Sequence, residues 1–385
     1  MKILQITKGY PPDKGGIETY TFNLASSLKK KFKISIIATH SPKPSYEKSN
    51  GIEIYRIKKL FEIFQVPFNL PYFNLIFKTN PDIIHFHIPN PISEIYLLFY
   101  SLFSKKSKIL ITYHADLPLY TKLSKISEFL RRFYIFPLLK KSDLIVSTSY
   151  EYARNSPILK HFLKKTKIIP IGISKEMKTE RIEKIRKRFK ISKKEKIVLF
   201  VGRLYPYKGL EFLIRSIPLV ISKVKNVKFV IVGDGIERKK LEKLVKNLSI
   251  KKFVVFTGYL NEKEKNTFYK ICDVFVLPSI NRGEAFGISM VEAMKFSKPI
   301  VSTKIKGSGV NFVNKHMETG IVVEPKNPKE LAKAIIKLLK NEQLRKKLGR
   351  NARRRFLKYF TLEKMVNQIE KIYLKLYQER ELEKK

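Results

Sequence analysis

Residues 196–213 read KIVLFVGRLYPYKGLEFL, and the opening run KIVLFVG is the stretch on which the fold turns. A continuous apolar, β-branched run without polar alternation is what a strand covered on both faces looks like, as in a parallel sheet flanked by helices. Toward the N-terminus, runs of this kind recur at KILQIT (2–7), KISIIAT (33–39), DIIHFHI (82–88), KILITYH (108–114), LIVSTS (144–149) and KIIPIG (167–172). Toward the C-terminus they recur at KFVIVGDG (228–235), FVVFTGY (253–259), VFVLPS (274–279), KPIVST (298–303) and TGIVVEP (319–325). Amphipathic stretches separate them, and this βαβ rhythm, interrupted once, predicts an α/β chain of two Rossmann-like, doubly wound domains.

The interruption falls between Gly172 and Glu180, where a glycine-containing segment leads into a Lys/Arg-rich helix expected over 180–190. A length of 385 residues suits two domains with a core each. The boundaries expected are 1–172 for the first and 173–360 for the second. A hinge at the junction would open a cleft between them. From Lys329 the pattern is helical, with a break near Tyr359, Phe360 and Thr361. Thr361 is placed to cap a final helix over 361–385, expected to cross back toward the first domain.

Composition narrows the setting. No stretch of eighteen residues runs without charge, so a membrane-spanning helix is not expected. The sequence opens on the apolar run KILQIT with no charged leader and cleavage site, and Cys272 is the single cysteine, both of which fit a reducing, cytoplasmic setting. The net charge is +46; residues 1–172 carry 27 basic and 11 acidic side chains, and the remainder 52 and 22, so both halves are basic. Such a field attracts nucleic acid, anionic lipid head groups or phosphorylated substrates, while a lysine-rich bias decorating every solvated face accounts for it equally well. No helix-turn-helix, RNP or zinc-finger pattern accompanies the charge, which leaves nucleic acid as a partner on charge alone. Two stretches, 56–78 and 120–141, mix aromatic, apolar and basic residues; they read either as amphipathic surfaces for an anionic membrane, placing the protein at its inner face, or as core-packing helices.

Four places carry chemistry. Gly15 and Gly16 stand between the first strand and a helix begun by Ile17 and Glu18, where backbone amides can approach a phosphate. Arg203 and Lys208 lie just past the end of the KIVLFVG strand, the end at which open α/β sheets bind ligands, and two cations there suit a diphosphate. In PSINRGEAFGISMVEAM (278–294), Glu284 sits in a glycine-flanked loop and Glu292 about one and a half turns into a helix starting near Phe286 or Gly287. The amides of that helix start suit a phosphate, and Glu292 can accept from ribose hydroxyls. His85 and His87 share one face of a strand, but without carboxylate or cysteine partners at ligand spacing they read as packing and cleft-lining residues rather than as metal ligands. No Asp-x-Asp occurs anywhere, so the usual chelators of a nucleotide sugar's divalent ion are missing.

Taken in order, GGIE (15–18), HFH (85–87), GRLYPYKG (202–209), VGDG (232–235) and EAFGISMVE (284–292) resemble family 4 of the retaining glycosyltransferases, along nearly the whole chain. The resemblance implies the GT-B fold, two Rossmann-like domains facing a central cleft, and a nucleotide diphosphate sugar as donor with no cofactor or metal. It implies that Arg203 and Lys208 hold the diphosphate, that Phe286 and Gly287 begin the phosphate-facing helix, that Glu284 contacts sugar hydroxyls and that Glu292 contacts the ribose. Gly16 would approach the leaving phosphate, and His114, in ITYHAD, would face the transferred sugar. KGSGVNFVNKHMETGIVV (306–323) resembles polysaccharide-assembly members, which implies a glycan or lipid-linked acceptor. Two departures stand out: IPIGIS (169–174) lacks the asparagine usual before glycine, and Asn281 and Arg282 appear beside the Ser279–Glu284 loop. A GT-B sugar-nucleotide epimerase and a basic nucleic-acid-binding protein are the rival readings; a phosphorylase would need a pyridoxal-binding lysine context that is not identifiable.

Overall fold

A computed structural model places residues 1–13, 15–63, 66–69, 72–104, 106–117 and 122–384, with the side chains of all of these except 61–63, 66–69, 122–125 and 127. The chain divides into two compact units, one of Met1–Gly172 with Leu362–Lys385 and the other of Ile173–Thr361.

In the first unit the described strands are β1 (Lys2–Thr7), β2 (Lys33–Ser41), β3 (Ser45–Ser49), β4 (Ile52–Ile63), β5 (Val66–Asn69), β6 (Ile83–Ile88), β7 (Lys108–Tyr113), β8 (Leu144–Ser147) and β9 (Thr166–Ile168). They are ordered β3-β4-β2-β1-β6-β7-β8-β9, with β5 paired to β4. From β4 to β9 every neighbour is parallel, and β1, β6 and β7 are buried almost throughout, which is why their sequences are mostly apolar on both faces, with Gln5, His85, His87 and Thr112 among the buried polar exceptions. The helix Leu362–Glu383 belongs to this unit, packing on β6, β7 and the helix Gly16–Leu28 through Ile369, Ile372, Tyr373 and Leu376.

Two local expectations are corrected here. The stretch 56–78, read either as an amphipathic membrane surface or as core-packing helices, is not helical over most of its described length. It continues β4 to Ile63, returns as the antiparallel β5, and is helical only over Phe73–Thr79, while residues 64, 65, 70 and 71 lie outside the described residues. The cause is visible just upstream, where buried Ile52 and Ile54 alternate with more exposed neighbours at the two-residue period of a strand. Thr361 does not cap the final helix, for its hydroxyl is buried with no hydrogen-bond partner. Its main chain bridges to Ile173, which holds the residue in the second unit and turns the side chain inward.

The second unit holds β10 (Lys196–Val201), β11 (Val227–Val232), β12 (Val254–Gly258), β13 (Val274–Leu277), β14 (Ile300–Thr303) and β15 (Gly320–Val323), all parallel, in the order β12-β11-β10-β13-β14-β15. The winding reverses between β10 and β13. In an open α/β sheet that reversal leaves a crevice outside the carboxyl ends of the two strands, and ligands bind there.

Candidate active site

The loops leaving β10 and β13 carry the residues singled out in the second unit. After β10 the chain turns through Arg203 and a short 3₁₀ turn, Pro206–Lys208, into the helix Leu210–Ile221. Gly209 joins them at φ 64°, and a Cβ there would stand 2.2 Å from the carbonyl oxygen of Pro278. Only glycine lets the two loops approach so closely. That approach brings Lys208 to the loop after β13, where its Nζ lies 2.5 Å from Oε2 of Glu284, with both side chains nearly buried. Burial disfavours the Lys208 ammonium, but the Glu284 carboxylate outweighs this and holds its pKa above the usual lysine value.

Glu284 is positioned from several sides. Ser279 Oγ donates to the same carboxylate oxygen at 3.1 Å, Ser308 Oγ donates to the Glu284 carbonyl, and the Gly309 amide donates to the carbonyl of Ala285. Arg282, one of the two residues departing from the family pattern, reaches the Gly307 carbonyl at 2.8 Å, tying this loop to the segment 307–309. Arg203, by contrast, is exposed, its guanidinium over the ring of Tyr205 at 5.0 Å. The expected pair of cations is therefore one buried and one solvated.

The helix Ile288–Lys295 starts at Gly287, which takes φ 86°. The Phe286 ring is buried edge-on against Phe360, so this residue offers the helix start its main chain and not its side chain. Glu292 lies on this helix, but its carboxylate is set by another one, Glu262–Ile271: Lys265 Nζ lies 2.6 Å from Oε1 and the Tyr269 hydroxyl donates to Oε2 at 2.7 Å. Burial raises the Glu292 pKa and Lys265 with Tyr269 lowers it further, leaving a carboxylate below its ordinary range. The sequence reading missed Lys265, Tyr269, Ser279 and Ser308. The one local signal was the capping box Asn261–Glu264, which fixes the start of the helix carrying Lys265 and Tyr269.

In the first unit, Gly15 and Gly16 stand where expected, at the head of the helix Gly16–Leu28 after β1, and the carboxylate of Glu18 folds back over Gly15. β1 and β6 are again the strands at which the winding reverses. His114 follows β7 directly, its amide donating to the Ile88 carbonyl. Its ring stacks with His87 at 5.4 Å, Nε2 lying 3.1 Å from His87 Nδ1, and His87 in turn lies 4.4 Å from His85. His85 is closed off by Thr112 and by the Tyr373 hydroxyl, each at 2.6 Å. Burial pulls His85 and His114 down to about 3 and His87 well below the usual histidine value, so the three rings stay neutral at physiological pH. Among the described residues, no group of three His, Cys, Asp or Glu side chains is arranged to hold a metal ion. The loop past His114 is pinned by Asp116, whose carboxylate accepts from the hydroxyls of Tyr113, Tyr152 and Ser156.

Along its length the chain is similar to known proteins. Residues 14–176 match the family model described as Glycosyltransferase Family 4, and residues 181–355 the one described as Glycosyl transferases group 1. The O-antigen chain mannosyltransferase C of Escherichia coli is 30% identical over 98% of this chain and 99% of its own length. The D-rhamnosyltransferase WbpZ of Pseudomonas aeruginosa is 29% identical over 94% of this chain and 92% of its own. Among solved structures, the sucrose-phosphate synthase of Thermosynechococcus elongatus superposes with a TM-score of 0.80 at 22% identity, covering 98% of this chain and 99% of that one. Anabaena HepE, solved with UDP-glucose, gives 0.75 at 18% identity, covering 97% and 100%. The chain belongs to the group 1 glycosyltransferases of family 4: it is a glycosyltransferase with the GT-B fold.

Proposed function

We propose that the protein moves a hexose-type sugar, with retention of anomeric configuration and without a metal, from a nucleotide diphosphate sugar to a glycan or lipid-linked acceptor. The observation that carries this reading is the cation and carboxylate pair Lys208–Glu284, buried at the carboxyl ends of β10 and β13. An ammonium kept charged in a water-poor crevice is suited to a diphosphate whose charge grows as the glycosidic bond breaks. Arg203 and the amides at Gly287 add to it, Glu284 meets a sugar hydroxyl, and Glu292 meets the ribose. Gly15, Gly16 and His114 keep the roles that the family pattern implies, the leaving phosphate for the glycines and the transferred sugar for the histidine. The reading is also supported by HepE, solved with UDP-glucose, and by the sugar transferases among the relatives.

No carboxylate is assigned as a nucleophile on the far face of the sugar, so the reaction follows a front-face course. The bond from the anomeric carbon to the β-phosphate oxygen breaks, the acceptor oxygen forms its bond to the same carbon, and the acceptor proton passes to the departing phosphate. Lys208, Arg203 and the helix start take up the charge that develops. An epimerase would turn over the donor with no acceptor present. A panel of UDP-, GDP- and ADP-sugars tests the donor assignment by thermal shift, since a ligand that binds the native state raises its apparent stability. One nucleotide class is expected to raise Tm; a panel in which no member does so rejects a nucleotide-sugar donor.

We further propose that the acceptor is met at an anionic membrane surface. No helix of the described residues is long and apolar enough to cross a membrane. The packed helices Pro91–Phe103 and Lys122–Lys141 nonetheless leave Phe99, Leu102, Phe103, Ile126, Phe129, Leu130 and Phe133 exposed, Phe103 by 83%, with Lys106, Arg132, Lys140 and Lys141 also in solvent. Residues 120 and 121 of the stretch read as amphipathic lie outside the described residues. Aromatic anchors mixed with cations suit a lipid interface. Binding to anionic vesicles is expected to exceed binding to neutral ones, to weaken with salt, and to fall in a Phe103→Ser/Phe133→Ser double variant; equal partitioning to both vesicles makes the charge a matter of composition.

A further inference from the structure

In the row formed by His85, tilted against His87, and His114, stacked on His87, the contacts of each ring nitrogen decide where the protons sit. His87 Nδ1 and His114 Nε2 lie 3.1 Å apart, and both rings are neutral, so a single proton is shared along that line. Two assignments satisfy it. In one, His114 donates from Nε2, and neutral His87, accepting at Nδ1, must carry its own proton on Nε2. That Nε2 is buried with no hydrogen-bond partner, so an N–H would be orphaned inside the protein. In the other, His87 donates from Nδ1, its Nε2 is a bare lone pair, and His114 accepts at Nε2 and so carries its proton on Nδ1. Buried N–H groups without an acceptor are rarer than under-used acceptors.

We infer that His87 is a positioning residue which fixes His114 in the Nδ1–H tautomer, so that His114 presents an N–H donor, and not a lone pair, to a hydroxyl or ring oxygen of the sugar. His85 supports this from behind: Thr112 and Tyr373 occupy both its nitrogens, and its ring lies 4.4 Å from that of His87. The device gives HFH a function that neither metal binding nor simple packing supplies. The inference rests on the reading of His114 as the histidine that faces the transferred sugar.

The test is a long-range ¹H–¹⁵N correlation spectrum of the full chain with ¹⁵N-labelled histidine, recorded beside transfer kinetics. In the wild type, His114 is expected to show a protonated Nδ1 and an unprotonated Nε2. His87→Phe removes the donor that holds His114 in one tautomer, so a share of His114 should move to the Nε2–H form that imidazole prefers in water, with kcat down about twofold to tenfold for the partial loss of one hydrogen-bond donor and the donor KM unchanged. His87→Asn, whose amide nitrogen stands near the place of Nδ1, should restore both the spectrum and kcat. An Nε2–H signal for His114 in the wild type overturns the inference, and that spectrum together with the Asn variant decides the matter if His87→Phe does not fold. If the tautomer is as stated but kcat is the same in all three proteins, the proton placement stands and the assignment of His114 to the sugar falls.

Discussion

Arg203→Ala is expected to lower sugar transfer by about 30- to 1000-fold while leaving Tm and the far-UV circular dichroism spectrum unchanged. The fold-change is the roughly 2–4 kcal/mol associated with removing one charged group from a developing oxyanion. The unchanged stability follows from the exposure of Arg203, whose removal buries no new charge and opens no cavity in the core. Lys208→Ala should be at least as damaging to turnover but should differ in one respect. Glu284 would be left nearly buried without its cation, and breaking such a pair costs on the order of 3–5 kcal/mol of stability. Its Tm should therefore fall as well. Steady-state rates and thermal melts of the two variants side by side check this; equal losses of Tm would mean that Arg203 is structural, and unchanged rates would remove both cations from the site.

The second large effect separates the two carboxylates. Glu284→Gln should reduce turnover while the free nucleoside diphosphate binds as before, since Glu284 is assigned to the sugar. Glu292→Gln should weaken the free diphosphate itself. Its carboxylate, held between Lys265 and Tyr269, is already oriented before any ligand arrives, so a ribose diol gains a fixed acceptor whose loss costs about 1–3 kcal/mol, or roughly 5- to 150-fold in Kd. Calorimetric titration of both variants with the diphosphate alone decides the point. Identical affinities for the two would show that the proposed division of labour is wrong.

What the sequence revealed and what it concealed follow from the range of the interactions involved. The runs of β10 and β13 are legible because burial on both faces leaves them apolar after Lys196 at the start of β10, and Gly287 is legible as a helix-start glycine. That Arg203 and Lys208 differ in burial is not legible. It depends on Glu284, 76 residues further along, reaching back to one of the two cations and not to the other. Lys265 and Tyr269, which orient Glu292 from 27 and 23 residues away, are hidden for the same reason. Arg131 reads as one more cation of a basic amphipathic stretch, yet it is fully buried, held bidentately by Glu94 with Glu128 beside it. β4 is hard to see from Arg56 onward because the alternation of Ile52 and Ile54 that announces a strand gives way there to a mixed aromatic, apolar and basic run.

We propose that this glycosyltransferase retains configuration and neutralises its leaving diphosphate with side chains and helix amides alone. The anomeric ¹H–¹³C coupling of the product, followed by NMR during turnover in the presence of EDTA, measures both parts at once. The product is expected to carry the donor's anomeric configuration and to form at an undiminished rate. An inverted product, or a reaction that stops in EDTA and resumes only with magnesium or manganese, would contradict it.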